Sequence, residues 1–453
     1  MAKLFGTDGI RGKANTYPLT PEMIVRIGQS IAGTFGDRPD AHIIVGADTR
    51  VSGDMIASAI SSGICSCGIN VLHAGIIPTP AVAWLTAQTP SAVAGIVISA
   101  SHNPYFDNGI KVFDSHGFKL TDQIEADIEN RILDGGADQN RSQANREIGH
   151  VIQLSDAEKR YLGFLRRCWA GKPAVSGLKL VIDCANGATC RVAPALFSSL
   201  KIDVTALFTD PDGRNINSDC GSEHTGILAR KVIEAGADVG LAFDGDGDRL
   251  AVVDETGRRL TGDQVLAICA DDLKTEGRLV NNRVVNTVMS NIGLAAALTR
   301  LGIDHETADV GDRRVMEKMK ATGAILGGED SGHIIFLDQH STGDGLLSAL
   351  RLMAAMIRQK KPLSELAGIM TVAPQILVNV SVSSKPDLNT LAPLQQAISQ
   401  VESELGSQGR VLVRYSGTQP MCRVMVEGPD SEITEKYCHQ IADVVSRTIG
   451  TTA

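Results

Sequence analysis

The chain has no long apolar run, no excess of basic residues and no paired pattern of cysteines. Each absence closes a class of function. No stretch of the 453 residues approaches the about 18 consecutive apolar positions that a membrane-spanning helix needs. The opening MAKLFGTDGIRG has no apolar h-region, so neither a signal peptide nor a membrane span is expected. Lys and Arg number 43 against 52 Asp and Glu, a formal net charge of -9. A nucleic-acid surface needs clustered cations, so no nucleic-acid partner is expected and any anionic ligand must be held by local devices. The nine cysteines are odd in number and scattered, and the closest two, Cys65 and Cys67, lack a second pair to complete a metal site. They read as reduced thiols of a cytoplasmic protein.

What is present is the composition of an ordinary globular protein, 43% hydrophobic and 21% charged, long enough for several domains. A strand–helix–strand unit occurs three times. It begins at His42–Val45, at Leu178–Ile182 and at Arg283–Val285, with helices over 55–64, 192–200 and 294–301 and returning strands at Ile69, Val204 and Ile303. Such alternation predicts mostly parallel sheets. Each unit then supplies a further strand ending in a polar loop: 96–98 into SASHNP, 239–243 into DGDGDR, and 325–326 into GGEDSGH. Ligands of open α/β sheets bind at the carboxyl ends of strands, and three corresponding loops predict one shared cleft. After about residue 368 the pattern changes. Positions 375–382 alternate like an antiparallel strand with one solvated face. A helix over 392–405, strands at 410–414 and 422–427, and a helix over 432–449 follow, a small α+β domain with its linker near Gly368 to Val372.

The loops carry the chemistry. In Asp244-Gly-Asp246-Gly-Asp248-Arg249 the glycines permit a tight backbone that lets three carboxylates converge on a hard cation. Asp244, Asp246, Asp248 and Glu255 also match EF-hand positions one, three, five and twelve. Position six is Arg249 where that loop needs Gly, and the apolar run 250–253 continues as a strand, so a Mg²⁺ site is the expectation. Ser101 and His102 close the first loop, where a serine beside a histidine also suits a hydrolase nucleophile. Glu329, Ser331 and His333 form a set fit to hydrogen-bond a polyol. Arg414, Ser416, Gly417, Thr418 and Arg423 suit a phosphate.

Nucleophile, divalent cation, polyol reader and phosphate clamp together describe phosphoryl transfer on a phosphorylated sugar. SASHNP, DGDGDR, GEDSGH and RYSGTQP resemble, in order, the four signature loops of the α-D-phosphohexomutase superfamily, over essentially the whole chain. The opening FGTDGIRG, the GIVISASHNP context and the closing RVMVEG look most like its amino-sugar branch. The last loop departs from the Arg-Lys-Ser-Gly-Thr-Glu-Pro pattern of that branch at Tyr415 and Gln419.

The resemblance implies an α/β fold class of three similar α/β domains with mixed, mostly parallel sheets plus a smaller C-terminal α+β domain, arranged around a central cleft. Its implied boundaries are 1–150 for a phosphoserine-loop domain, 151–252 for metal binding, 253–367 for sugar binding and 368–453 for phosphate binding. Ser101 is the implied phosphoserine and, with Asp244, Asp246 and Asp248, a ligand of Mg²⁺. Arg11, His102, Lys111 and Arg249 would surround the transferring group, and Lys111 and His333 would carry protons, with acid and base unassigned. Glu329 and Ser331 would read sugar hydroxyls, while Arg414, Ser416, Gly417, Thr418 and Arg423 hold the phosphate that is not reacting. The implied reaction is glucosamine 6-phosphate to glucosamine 1-phosphate through a 1,6-bisphosphate, supplying cell-wall precursors. A hexose or hexosamine 1,6-bisphosphate would activate the enzyme by phosphorylating Ser101, and motion of the fourth domain would close the cleft. The expected partners are small-molecule sugar phosphates, with the chain a monomer or homodimer. The alternatives are a phosphomannomutase/phosphoglucomutase and, from another class, a non-catalytic sugar-phosphate sensor.

Overall fold

Strand Ala92–Ile98 is buried along its whole length, as its β-branched run predicts for a strand covered on both faces. It belongs to a computed structural model that describes residues 4–6, 8–36, 40–133, 147–169, 177–416 and 420–451. The chain divides into two compact units, one of residues 1–288 with 304–368 and one of 289–303 with 369–453.

The first unit holds three sheets built on one plan. In the first sheet, His42–Ala47 runs parallel to both Asn70–Ile76 and Ala92–Ile98, and Ala92–Ile98 pairs antiparallel with Asp107–Asp114. The second repeats this with Lys179–Asp183 between Asp203–Leu207 and Val239–Phe243, the last pairing antiparallel with Leu250–Asp254. The third does so with Arg283–Thr287 between Asp304–Ala308 and Leu326–Gly328, followed by antiparallel Ile334–Phe336. In every case the polar loop read from the sequence joins the third strand to its antiparallel neighbour. The three loops are therefore equivalent positions at the carboxyl ends of equivalent strands.

The first sheet is the widest, with seven strands. Gly9–Lys13 pairs with Asp107–Asp114 and sets Arg11 opposite Gly109, two residues from Lys111. The helix Pro21–Phe35 begins as its sequence predicts: the Thr20 hydroxyl accepts from Met23 N at 3.4 Å, and Ile24, Ile27 and Ile31 are buried on one face.

In the second unit, Met421–Glu427 lies between Gln375–Ser381 and Arg410–Tyr415, all antiparallel. Helices Ala392–Leu405 and Ser431–Ile449 cover this sheet through Leu394, Val401, Ile441 and Val445. The helix Ile292–Arg300 follows a strand of the third sheet in sequence, yet it belongs to this unit. Asn291 fastens it there, since its side chain accepts from Ala373 N at 3.0 Å and donates to Ala373 O at 2.9 Å. All nine cysteines are free thiols. Among the described residues no helix is long and apolar enough to cross a membrane.

Candidate active site

Ser101 is the centre of the site. It is 1% exposed, and its φ of 53° lies in the left-handed region that a non-glycine residue enters only when its surroundings hold it there. Its N–H donates to Ser99 Oγ at 2.9 Å. Its carbonyl accepts from Arg50 Nη2 and from Asn217 Nδ2, each at 2.9 Å. The hydroxyl left at the tip donates to Asp244 Oδ2 at 2.5 Å, with His102 Nδ1 at 3.3 Å.

Asp244, Asp246 and Asp248 are all buried, and one ligand atom from each lies within 4.8 Å of the others. Two of their oxygens, Asp246 Oδ1 and Asp248 Oδ1, have no hydrogen-bond partner among the described residues. Buried carboxylate oxygens without donors are costly, and hard oxygen donors at this spacing suit Mg²⁺, so the residues fit the group. Burial, with Asp248 and Asp246 close by, pushes the Asp244 carboxyl well above its usual range. Burial also raises Asp248, but Lys111 and His333 outweigh it and hold that carboxylate well below. The glycines are needed. A Cβ on Gly245 would sit 2.6 Å from Ser101 O, and Gly247 has a φ of +73°. The EF-hand reading fails as expected, since Leu250–Asp254 is a strand and Glu255 accepts from Ser364 N at 3.2 Å.

Lys111 is 2% exposed, with Nζ at 2.8 Å from Asp246 Oδ2, 3.4 Å from Asp248 Oδ2 and 3.1 Å from Asp8 Oδ2. Burial favours a neutral amine, but Asp246, Asp8 and Asp248 outweigh it, and the side chain is held firmly as an ammonium. His333 lies across the same carboxylate, Nδ1 at 3.8 Å from Asp248 Oδ2. The Gly343 N–H points at His333 Nε2 from 3.2 Å, which sets the proton of the neutral ring on Nδ1. Burial opposes the imidazolium while Asp248 and Asp312 favour it, and the carboxylates prevail. His102 goes the other way, lowered by burial and by the Arg249 guanidinium. Arg249 donates its backbone N–H to Asp244 Oδ1 at 3.2 Å, and Arg11 pairs with Asp8.

Backbone bonds tie the loops together. Thr79 N donates to Asp246 O, Gly345 N to Gly247 O and Leu250 N to Gly332 O, all between 2.9 and 3.1 Å. Ser101, His102, Lys111, the three Asp, Arg249 and His333 thus share one site, with Arg11 joined through Asp8. Glu329 accepts from Gly311 N at 2.9 Å, and Ser331 is exposed on the same loop as His333. In the second unit Arg414 and Arg423 are direct cross-strand partners. Buried Ser416 gives its carbonyl to Lys385 Nζ at 2.6 Å. Gly417, Thr418 and Gln419 lie outside the described residues.

Sequence reading missed Arg50. It is fully buried and donates to Asp48 Oδ2 at 2.8 Å as well as to the carbonyls of Ser101, Asn103, Pro104 and Asp107. It also missed Asp8, Thr79, Lys119, Lys385 and Asp312. A signal existed for two of them: Asp48-Thr49-Arg50 follows strand His42–Ala47, the other carboxyl strand end beside the Ser101 loop, and Asp8 lies in the FGTDGIRG motif.

Comparison with known proteins gives a consistent result. Four family models match in succession: phosphoglucomutase/phosphomannomutase alpha/beta/alpha domain I over residues 2–138, domain II over 159–257, domain III over 261–372 and the C-terminal domain over 377–444. A phosphoglucosamine mutase of Syntrophus aciditrophicus is 55% identical, covering 99% of this chain and 100% of that protein. Another, of Desulforapulum autotrophicum, is 53% identical over 99% of both. A solved phosphoglucomutase/phosphomannomutase family protein of Burkholderia thailandensis shares the fold, with a TM-score of 0.81 at 23% identity over 98% of this chain and 97% of that one. So does the Aspergillus fumigatus N-acetylphosphoglucosamine mutase in complex with GlcNAc-6P and magnesium, TM-score 0.68 at 17% identity over 99% and 96%.

Proposed function

The chain belongs to the phosphoglucosamine mutase family, and on that premise we propose that it interconverts glucosamine 6-phosphate and glucosamine 1-phosphate through a phosphorylated Ser101. One observation carries this reading: a buried serine hydroxyl, held at a strained backbone, bonded to one of three converging carboxylates.

In the proposed reaction the sugar O1 hydroxyl attacks the phosphorus on Ser101. The O1–P bond forms, the P–Oγ bond breaks, and the O1 proton passes to a base. The 1,6-bisphosphate then turns, and Ser101 Oγ takes the 6-phosphoryl group while O6 recovers a proton. Lys111 and His333 are the groups proposed to hold and move those protons, because both face Asp248 at the serine. Arg11, His102 and Arg249 surround the phosphoryl group and oppose its charge. Asp244, Asp246 and Asp248, with the oxygen on Ser101, would hold Mg²⁺. When bound, that ion neutralises negative charge at the transferring group. Glu329 and Ser331 are proposed to read sugar hydroxyls, and Arg414, Ser416, Gly417, Thr418 and Arg423 to hold the other phosphate.

Two measurements test the proposal. Coupled assays should give a higher kcat/KM for glucosamine 6-phosphate than for glucose or mannose 6-phosphates, and equal or better turnover of mannose 6-phosphate would overturn the sugar assignment. Incubation with a hexose 1,6-bisphosphate should leave phosphate on Ser101 by mass spectrometry and none on a Ser101→Ala variant. An unlabelled wild type would instead favour a non-catalytic sensor.

A further inference from the structure

We propose that Asp8, Lys119 and Asp312 are positioning residues which, with Asp248, close a ring of alternating charge around Lys111 and His333. The inference rests on the proton-transfer roles given to those two groups above.

The ring can be followed atom by atom. Asp248 Oδ2 faces Lys111 Nζ at 3.4 Å on one side and His333 Nδ1 at 3.8 Å on the other. Away from the serine, Lys111 Nζ contacts Asp8 Oδ2 at 3.1 Å. The other oxygen of Asp8 accepts from Lys119 Nζ, which also donates to Asp312 Oδ2. That Asp312 oxygen lies 3.9 Å from His333 Nε2 and completes the circuit. Lys111, Asp8, Lys119, Asp312, His333 and Asp248 are thus joined in order, anion between cations or imidazole throughout.

The ring spans all three sheets of the first unit, with Asp248 on the loop between Val239–Phe243 and Leu250–Asp254 of the second. Asp8 and Lys119 flank strands of the first sheet, and Asp312 is the first residue of helix Asp312–Thr322 over the third. A carboxylate suits a helix N-terminus. The same helix is fastened beside Lys119 by further contacts: Arg313 pairs with Asp122 and Glu125, and Lys320 Nζ sits 3.4 Å from the Phe118 ring centroid. Lys119 and Asp312 are only 12% and 15% exposed, so solvent screens them weakly.

The arrangement has a mechanical consequence. Lys111 is pulled toward Asp246 and Asp248 from one side and toward Asp8 from the other, so its position depends on how fully Lys119, together with Arg11, satisfies Asp8. Without the Lys119 charge, Asp8 draws Lys111 away from the serine, and Asp312 loses the cation that holds it beside His333. Both proton carriers then move, although neither has been altered. Small displacements of reacting groups can cost about 100-fold in rate.

The test compares Lys119→Met, Lys119→Arg and Asp312→Asn with wild type in full-length protein, on glucosamine 6-phosphate with Mg²⁺ and a hexose 1,6-bisphosphate present. Lys119→Met should lower kcat by about 100-fold with KM within about threefold. Lys119→Arg, which restores the cation, should recover at least about tenfold of that loss. Asp312→Asn keeps the volume, and it decides the matter should Lys119→Met fail to fold: kcat should fall at least about tenfold with KM unchanged. The ring is overturned if kcat survives in the neutral variants, if KM rises in place of a kcat loss, or if Lys119→Arg is as impaired as Lys119→Met. Wild type inactive on every hexose and hexosamine phosphate would sink the functional reading instead. An active wild type with an unimpaired Lys119→Met sinks only the ring.

Discussion

Ser101 shows how much structure it takes to aim one buried hydroxyl. A left-handed backbone at a non-glycine residue costs on the order of 1 kcal/mol, and three neighbours, Ser99, Arg50 and Asn217, hold it in place. The outcome is a hydroxyl aimed at Asp244. The carboxylates beyond it carry their own cost, with two orphaned oxygens and an Asp244 carboxyl that burial keeps from ionising readily. A divalent cation would relieve both. Mg²⁺ at about 100 times its dissociation constant should therefore stabilise the wild type by about 2.7 kcal/mol. Asp246→Asn should lose most of that Mg²⁺-dependent rise in melting temperature. Chelation by EDTA should abolish turnover, with Mg²⁺ restoring it. An equal Mg²⁺ response in the variant would remove Asp246 from the metal site.

At the scale of elements, the recurring device is a strand whose carboxyl end opens into a loop that another strand end supports. Ala92–Ile98 delivers the Ser101 loop, and the neighbouring parallel strand His42–Ala47 delivers Asp48 and Arg50 beneath it. Arg50 meets four carbonyls of that loop and one carboxylate, which uses the planar fork of a guanidinium to the full. Lysine keeps the charge but cannot reach so many acceptors. Arg50→Lys should fold and yet lose about 10- to 100-fold in kcat, because the serine is displaced and not removed. Unchanged kcat with an intact fold would show that the loop holds itself.

Across the first unit, the three sheets are stitched by buried polar contacts that respond to pH. His340, beyond the last strand of the third sheet, has Nε2 at 2.9 Å from Pro80 O on the first-sheet side. Burial pushes it down to about 4. The folded protein therefore binds this proton less readily than the unfolded chain. Its contribution is full above pH ~6.5 and is lost as pH falls toward about 4, on the order of 3 kcal/mol in all. Asp344 has the opposite sign. Burial raises it to about 6, so its contribution is full below pH ~4 and is lost as pH rises through about 6. In urea melts, the stability deficit of His340→Gln relative to wild type should be largest near pH 7 and shrink toward pH 4.5. A deficit independent of pH would mean that His340 does not stay neutral in the fold.

Much of this molecule is written locally in its sequence. The strands over His42–Ala47, Lys179–Asp183 and Val239–Phe243 are short apolar runs ended by small or acidic residues, and both signals depend on near neighbours alone. The convergence of Asp244, Asp246 and Asp248 was legible for the same reason, since the three carboxylates are two residues apart and need only a tight loop to meet. Ser101 was legible as the hydroxyl at a strand end. The partners of these groups were not. Lys119 meets Asp312 across 193 residues and Thr79 meets Asp246 across 167, whereas the meeting of Ser101 with Asp244 across 143 was expected only through the family resemblance. No periodicity links such positions, and lysines and aspartates are common on any surface. Sequence alone determined which polar groups stand at the strand ends and the repeated unit that carries them. Only the tertiary structure decided which charges face one another, because that depends on how separate sheets pack, and a charge acquires its role from what lies within about 4 Å of it.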